Sequence, residues 1–398
     1  MNRTYRLPLI TVGMLVCLTA VGEITLQRRF SLKGIALAGE DRTSTQSNKS
    51  ERQVGDLELV AELKITPGNI TVSRDGRIFA SIHGMRRGPA QLVEIFPGSD
   101  NWRPFPNESW NAKPGSGPNV LNTPHGVIID SQNRLWVIDH GNWMPDDRPV
   151  AQPKLIAFDI NSGNLVFRMD FDETAAPEGQ ILQDLAVDDS RGFVYIADSG
   201  NRNGILVVDT NNKRTWRWEN HPSLDAEDID LVVENKPLVF RRPDGTIEPA
   251  RIAVNPITLS ADGETLFYGA MNGQTWYGVS AQLLRKQAND RVIARSVKVV
   301  GAKPVSDGIS TDAENNHFIT NLGDNAIDVL SRDGKLTRLV QDDRFLWADN
   351  VRFGSDSWLY ININQLNRAP IFTGAADTGK PPYRIFRVWT GTQGMPGR

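Results

Sequence analysis

One unit is written six times along this chain: a short polar opening, an alternating apolar run, a tight polar turn and a second alternating run rich in aromatic residues. The copies are Asn69 to Ala80, His125 to Val137, Asp184 to Tyr195, Pro256 to Tyr268, Asp307 to Ile319 and Asn350 to Tyr360. A period-2 hydrophobic unit that recurs roughly every 40 to 70 residues, with no helical period, predicts an all-β chain folded as a β-propeller. Each copy supplies the first two strands of one blade, so the propeller has six.

The units extend outward. Gln91 to Phe96, Lys154 to Asp159, Gly204 to Asp209, Ala326 to Ser331 and Tyr383 to Trp389 read as third strands, and Leu165 to Phe171 and Lys335 to Val340 as fourth strands. Four-stranded blades follow. The last copy has no fourth strand after Trp389, whereas Leu57 to Lys64 is a strand with no blade of its own. Lending that N-terminal strand to the sixth blade closes the ring and removes the open edge of a linear array. The longest departure from the pattern is an insertion at about residues 220–254. It carries His221, the acidic run Asp225 to Asp230 and an expected hairpin, Pro237 to Glu248, turning at Pro243-Asp244-Gly245. Insertions of this length sit at channel mouths and carry function, so it reads as a lid, with His221 and His317 as surface or lid residues.

Arg3 and Arg6 precede the apolar run Leu7 to Val21, followed by small residues at Ala20 and Gly22. Residues 1–22 therefore read as an export signal, or else as a short anchor, which is the only membrane contact expected. Residues 23–55 read as a flexible polar tether and 56–398 as the propeller domain. The only cysteine, Cys17, falls inside the signal. Disulfides, thiol catalysis and zinc-thiolate sites are excluded together from the exported chain. A net charge of −3, with no basic stripe, excludes nucleic acid as a partner. No serine-hydrolase elbow, Walker loop, dinucleotide fingerprint or His-Glu-x-x-His motif is present.

Propeller geometry places the start of each first strand and the end of each second strand at one mouth of the central channel. The first-strand starts are Asn69, His125, Asp184, Asn255, Asp307 and Asp349 with Asn350. The second-strand ends are His83, Asp139 with His140, Asp198, Asn272, Asn321 and Asn362 with Asn364. A ring of Asp, Asn and His suits a hard cation or a polar small molecule. The same residue types are favoured wherever strands end, because their side chains bond nearby backbone groups. Asn69, His125, His140, Asp184, Asn255, Asn272, Asp307, Asn321 and Asn350 are the expected ligand-binding set, with Asp307, Asp184 and His125 as candidates for catalysis.

Leu182 to Asp188 with Tyr195 to Gly200, Asn122 to Val127 with Arg134 to Asp139, and Ser306 to Ile309 with Leu346 to Asn350 and Tyr383 to Val388 resemble the major royal jelly protein and yellow family over nearly the whole chain after the tether. The resemblance implies a secreted six-bladed propeller, hence a secreted or periplasmic location, that binds a small ligand in its channel. Insect relatives are linked to dopachrome chemistry or to capture of biogenic amines, and bacterial members are described as related to dopachrome tautomerase. A more distant resemblance, to gluconolactonase and senescence-marker lactonases, implies a divalent cation, calcium or zinc, with Asp307 and Asn255 as two of its four ligands. Asn69 stands where that group has a Glu, and Pro124-His125 occupies the second blade. Three readings follow. The mouth binds a small polar or aromatic molecule, or it catalyses a tautomerisation with His125, His140 or Asp307 as base. In the third it hydrolyses a lactone whose carbonyl a cation polarises while Asp307 or Asp184 takes the proton.

Overall fold

In a computed structural model, which describes residues 52–141, 151–242 and 244–398, the six repeated units form six antiparallel four-stranded sheets, each in simple up-and-down order. The inner strands are Pro67–Val72, Pro124–Ile129, Leu182–Asp188, Val254–Leu259, Ile309–Thr311 and Ala348–Phe353. Every residue of these strands is buried, because each face is covered by a neighbouring blade. Burial falls away outward, and the outermost strands Leu165–Asp170 and Leu336–Gln341 are largely exposed. Apolar side chains pack between each pair of adjacent blades: Phe79 and Phe105 against Phe158, Trp136 against the third blade, Trp218 against Tyr268, and Trp276 against Ile319. The aromatic residues of the repeats are thus inter-blade packing.

The ring closes as the sequence predicts. Leu57–Leu63 is the outermost strand of the sixth blade, antiparallel to Tyr383–Trp389, in a register from Leu57 opposite Val388 to Leu63 opposite Tyr383. Val60, Ala61 and Leu63 complete the apolar layer between the sixth and first blades with Ile70, Val93, Trp358 and Ile385. Ordered packing starts a few residues before the expected boundary, since Arg52 lies over the rings of Trp358 and Trp389. The expected export signal and most of the expected tether fall outside the described residues. Among the described residues no helix is long and apolar enough to cross a membrane.

The fourth blade departs from the pattern. Its third strand, Thr275–Ser280, and fourth strand, Lys298–Ala302, are separated by two short helices, Ala281–Arg285 and Asp290–Arg295, capped by the side chains of Ser280 and Asn289. The insertion contains two small hairpins, Val232–Val233 with Lys236–Pro237 and Val239–Arg241 with Ile247–Pro249. The second is the expected one, with Gly245 in its turn at φ +88°, although Pro243 lies outside the described residues. His221 caps the turn that opens the insertion. His317 is not on the surface: it is 1% exposed inside the second strand of the fifth blade, bonded to Thr311 and edge-on to Phe267. Residues 390–398 cross the end of the channel opposite the mouth. There Gly397 exchanges backbone hydrogen bonds with Ile129 and Val187.

Deleting residues 1–65 should expose the layer that Val60, Ala61 and Leu63 cover. At about 1.5–3 kcal/mol per fully buried aliphatic side chain, the loss is several kcal/mol. Thermal melting checks this, and a truncated chain that melts with the parent would contradict the closure.

Candidate functional site

Strand pairing sorts the mouth residues into levels. Ile70, Val127, Leu185, Ile257, Ile309 and Val351 are equivalent, each paired with the third or fourth residue of its second strand. In five of the six blades the register shifts just before this residue, a bulge or irregularity at the strand start. Two residues back from these positions stand Gly68, His125, Gln183, Asn255, Asp307 and Asp349. One residue back stand Asn69, Gly126, Asp184, Pro256, Gly308 and Asn350. The expected single ring is therefore two: His125, Asn255 and Asp307 lie on the outer level, and Asn69, Asp184 and Asn350 on the deeper one.

The deeper level is tied across the channel. Arg352, one residue beyond the sixth blade's Val351, donates from Nη2 to Asp184 Oδ1 of the third blade at 2.5 Å, and from Nη1 to the carbonyl of Ile309 at 2.7 Å. Both side chains are almost fully buried. Asp184 Oδ1 also accepts from the amide of Leu185. This pair forms a floor beneath the mouth. Asn69 and Asn350 join adjacent inner strands by accepting, at 3.4 and 3.5 Å, from the amides of Val127 and Ile70.

On the outer level two acids stand side by side. Gly308 makes this possible, because a Cβ there would lie 2.6 Å from the carbonyl oxygen of Asp349; only glycine admits the sixth blade so close. Asp307 is half-buried, and each of its oxygens accepts a hydrogen bond, Oδ1 from Asn255 Nδ2 at 2.7 Å and Oδ2 from Trp347 Nε1 at 2.8 Å. Asp349 is buried and accepts from Asn364 Nδ2 at 2.6 Å. Burial pushes Asp307 up to about 7, with the two N–H donors opposing and the charge of Asp184 reinforcing the shift. Burial and the neighbouring Asp307 raise Asp349 well above the ordinary carboxylate range. With both carboxyls raised by burial, and Asp349 raised further by the charge of Asp307, the pair resists carrying two negative charges near neutral pH.

The other side of the mouth is made of neutral imidazoles. His125 shares a 2.8 Å hydrogen bond with Gln183 and stands edge-on between His83 and His140, at ring separations of 5.5 and 5.4 Å. Burial lowers all three, His140 to about 3, so they are uncharged at pH 7. The remaining second-strand ends knit loops. Asp139 accepts from the amides of Asn122, Thr123 and Gly141 and pairs with Lys154. Asp198 accepts from the amides of Ile181 and Gly200 and pairs with Arg217. Asn272 bonds Ile252 and Ala250, and Asn321 bonds Asp324 and Asp328. Sequence reasoning missed Gln183, Trp347 and Arg352. An arginine inside the otherwise apolar run Val351 to Phe353 is the one signal that pointed to the floor.

Four buried polar atoms of this region have no hydrogen-bond partner among the described residues: Asp184 Oδ2, Asn350 Nδ2, Arg352 Nε and Asn364 Oδ1. Two accept and two donate. A divalent cation fits this set poorly, because both oxygens of Asp307 already face N–H donors and the guanidinium of Arg352 sits on the deeper level. Among the described residues no three His, Cys, Asp or Glu side chains converge to hold a metal ion.

The acid pair has a pH signature. A folded-state carboxyl raised above its unfolded value stabilises the fold fully below about pH 4, and that contribution disappears as pH rises through about 7. Asp307→Asn should therefore gain melting temperature relative to the parent between pH 5 and pH 8. Calorimetric melts of both proteins at the two pH values check this; a difference that does not change with pH would mean that Asp307 ionises normally.

The chain's relatives agree with its architecture. The family model of the major royal jelly protein matches residues 123–346. Major royal jelly protein 7 of Apis mellifera is 26% identical over 45% of this chain and 39% of its own length, and dopaminechrome tautomerase of Drosophila melanogaster is 22% identical over 54% of this chain and 53% of its own. The chain thus spans about half, or less, of the length of these relatives. A gluconolactonase from Xanthomonas campestris shares the fold at a TM-score of 0.50 and 12% identity, covering 83% of this chain and 89% of that one. With the matched region running from the second blade's inner strand to the edge of the sixth, this chain belongs to the major royal jelly protein family.

Proposed function

We propose that this protein is exported and binds a small polar or aromatic molecule at the mouth of its channel, above the Asp184–Arg352 floor. The observation that carries the reading is the set of buried, unpartnered donors and acceptors on Asp184, Asn350, Arg352 and Asn364 beside the acid pair. Buried polar groups are normally satisfied, so four such atoms around one channel mark a place where a ligand or ordered water supplies the missing bonds. Asp307 and Asp349, both raised above the ordinary carboxylate range, add acids beside it that keep a proton more readily than exposed carboxyls do. Behind them, the buried rings of Trp347, His83, His125 and His140 pack around the mouth. Export is supported by the arginine-flanked apolar start of the sequence and by the royal jelly source in the names of several relatives.

A second reading has one observation in its favour. A carboxyl at about 7 is matched to proton transfer at neutral pH, which a tautomerase requires, and one relative is named for tautomerising dopaminechrome. In this reading Asp307 takes the proton from carbon and returns it to another atom of the same substrate, while Asn255 and Trp347 hold its carboxylate in place. A lactonase mechanism would need a cation, for which Asn255 and Asp307 offer only part of a donor set.

Calorimetric titration with dopamine, as an aromatic polar probe, tests binding. Saturable one-site binding, weakened at least tenfold (about 1.4 kcal/mol) by Asp307→Asn, is expected. Binding unaltered by that substitution would remove the mouth from the account. Following the absorbance of dopaminechrome tests turnover in the same samples, and elemental analysis that finds stoichiometric calcium or zinc would favour the lactonase reading.

A further inference from the structure

Trp347 stands beside the mouth in a backbone conformation that bulky residues rarely adopt. Its backbone lies in the left-handed region, at φ +59°, where a bulky aromatic side chain crowds its own carbonyl, and yet it is 1% exposed. Such a conformation persists only where the surroundings over-determine it, and it collects at functional sites. The surroundings here are specific. The Trp347 carbonyl accepts from the amide of Asn364 at 3.3 Å, and the preceding carbonyl, of Leu346, accepts from the amide of Gln365, itself left-handed at φ +57°. The side chain reaches over the blade boundary, and its Nε1–H meets Asp307 Oδ2 at 2.8 Å.

The same indole is the end of a file of aromatic rings that begins in the insertion. Phe240, on the insertion's second hairpin, stacks on Phe372 with centroids 5.5 Å apart and planes at 22°; Phe372 packs on Trp347 at 5.9 Å. These rings belong to one apolar cluster with Leu231, Leu238, Met271 and Leu366, separate from the layers between blades. Polar contacts hold the same two segments together, Glu234 of the insertion accepting from Asn367 at 2.9 Å and from Arg368 at 3.0 Å. The insertion is thereby seated on the residue that holds Asp307.

From this geometry we infer that Trp347 is the positioning residue of the mouth and that the insertion acts on Asp307 through it, by the file Phe240, Phe372, Trp347. Seating the insertion fixes the indole, and the indole fixes which way the carboxylate of Asp307 faces the channel. Asp349, the Asp184–Arg352 pair and the amide of Asn255 set the charge that Asp307 meets from the other elements around it. Asn255 alone cannot hold the carboxylate, because it binds only Oδ1 and leaves the group free to turn.

The inference rests on the reading of the mouth as a binding site, and the test separates the two. In the intact protein without ligand, the indole Nε1–H resonance of Trp347, assigned by its loss in Trp347→Phe, should move in Asp307→Asn and also in Phe240→Ala. Phe240→Tyr, which keeps the ring, should restore it. With dopamine as probe, Trp347→Phe and Phe240→Ala should each weaken binding about tenfold, the scale of one hydrogen bond to a charged group, while Phe240→Tyr binds like the parent. A Trp347 resonance and an affinity that both ignore Phe240→Ala would overturn the inference. Failure of the parent to bind dopamine, with the resonance moving as stated, would fault the choice of ligand and leave the positioning role standing.

Discussion

The site depends on a single ion pair that crosses the channel. Six inner strands converge on one axis, and the pair of Arg352 with Asp184 joins the sixth blade to the third, its opposite in the ring. A buried ion pair contributes little net stability, because desolvation of both charges offsets their attraction, but removing one partner strands the other at a cost of about 3–5 kcal/mol. The pair therefore fixes geometry more than it adds stability. It separates the mouth, with its acids and imidazoles, from the far end, where residues 390–398 cross the strands. A channel becomes a cup.

What lies above the floor follows from crowding. The absence of a side chain at Gly308 lets the sixth blade come close enough to set Asp349 against Asp307, and burial then makes two negative charges there unfavourable. Asn255, Trp347 and Asn364 direct N–H groups at the carboxyl oxygens and so limit the shift while fixing orientation. The imidazoles opposite are lowered for the same reason that the acids are raised: burial disfavours the charged form of each. The fold itself is shared with a gluconolactonase at 12% identity, so the fold alone does not assign a function, and the proposal rests on this arrangement of side chains.

The blades and the closing strand were legible because each rests on alternation, and alternation is a local property of sequence. The mouth was legible as a list of residues: inner-strand starts must converge in any propeller. Its two levels were not, since they arise from register shifts that place Asp184 one residue deeper than Asp307 although both open their repeats. Arg352 could be seen as an anomaly in an apolar run but not matched to a partner 168 residues away. His317 was misread because period-2 alternation does not say which face of an inner blade is covered when both are. The helices of the fourth blade follow capping residues inside a stretch with no strand period, and residues 390–398 have no period at all. Trp347 reads as one more packing aromatic until its backbone conformation is known.

The most direct test of the account is a pH titration of the Asp307 and Asp349 side-chain carboxyl resonances by carbon-13 NMR, assigned with the two Asp→Asn variants. The account predicts that Asp307 titrates near 7 and Asp349 well above the usual range, the two curves coupled, so that each changes when the other acid is removed. Two independent titrations near the ordinary aspartate value of about 3.9 would mean that the acids are separate, solvated turn residues, and the cup would lose its centre.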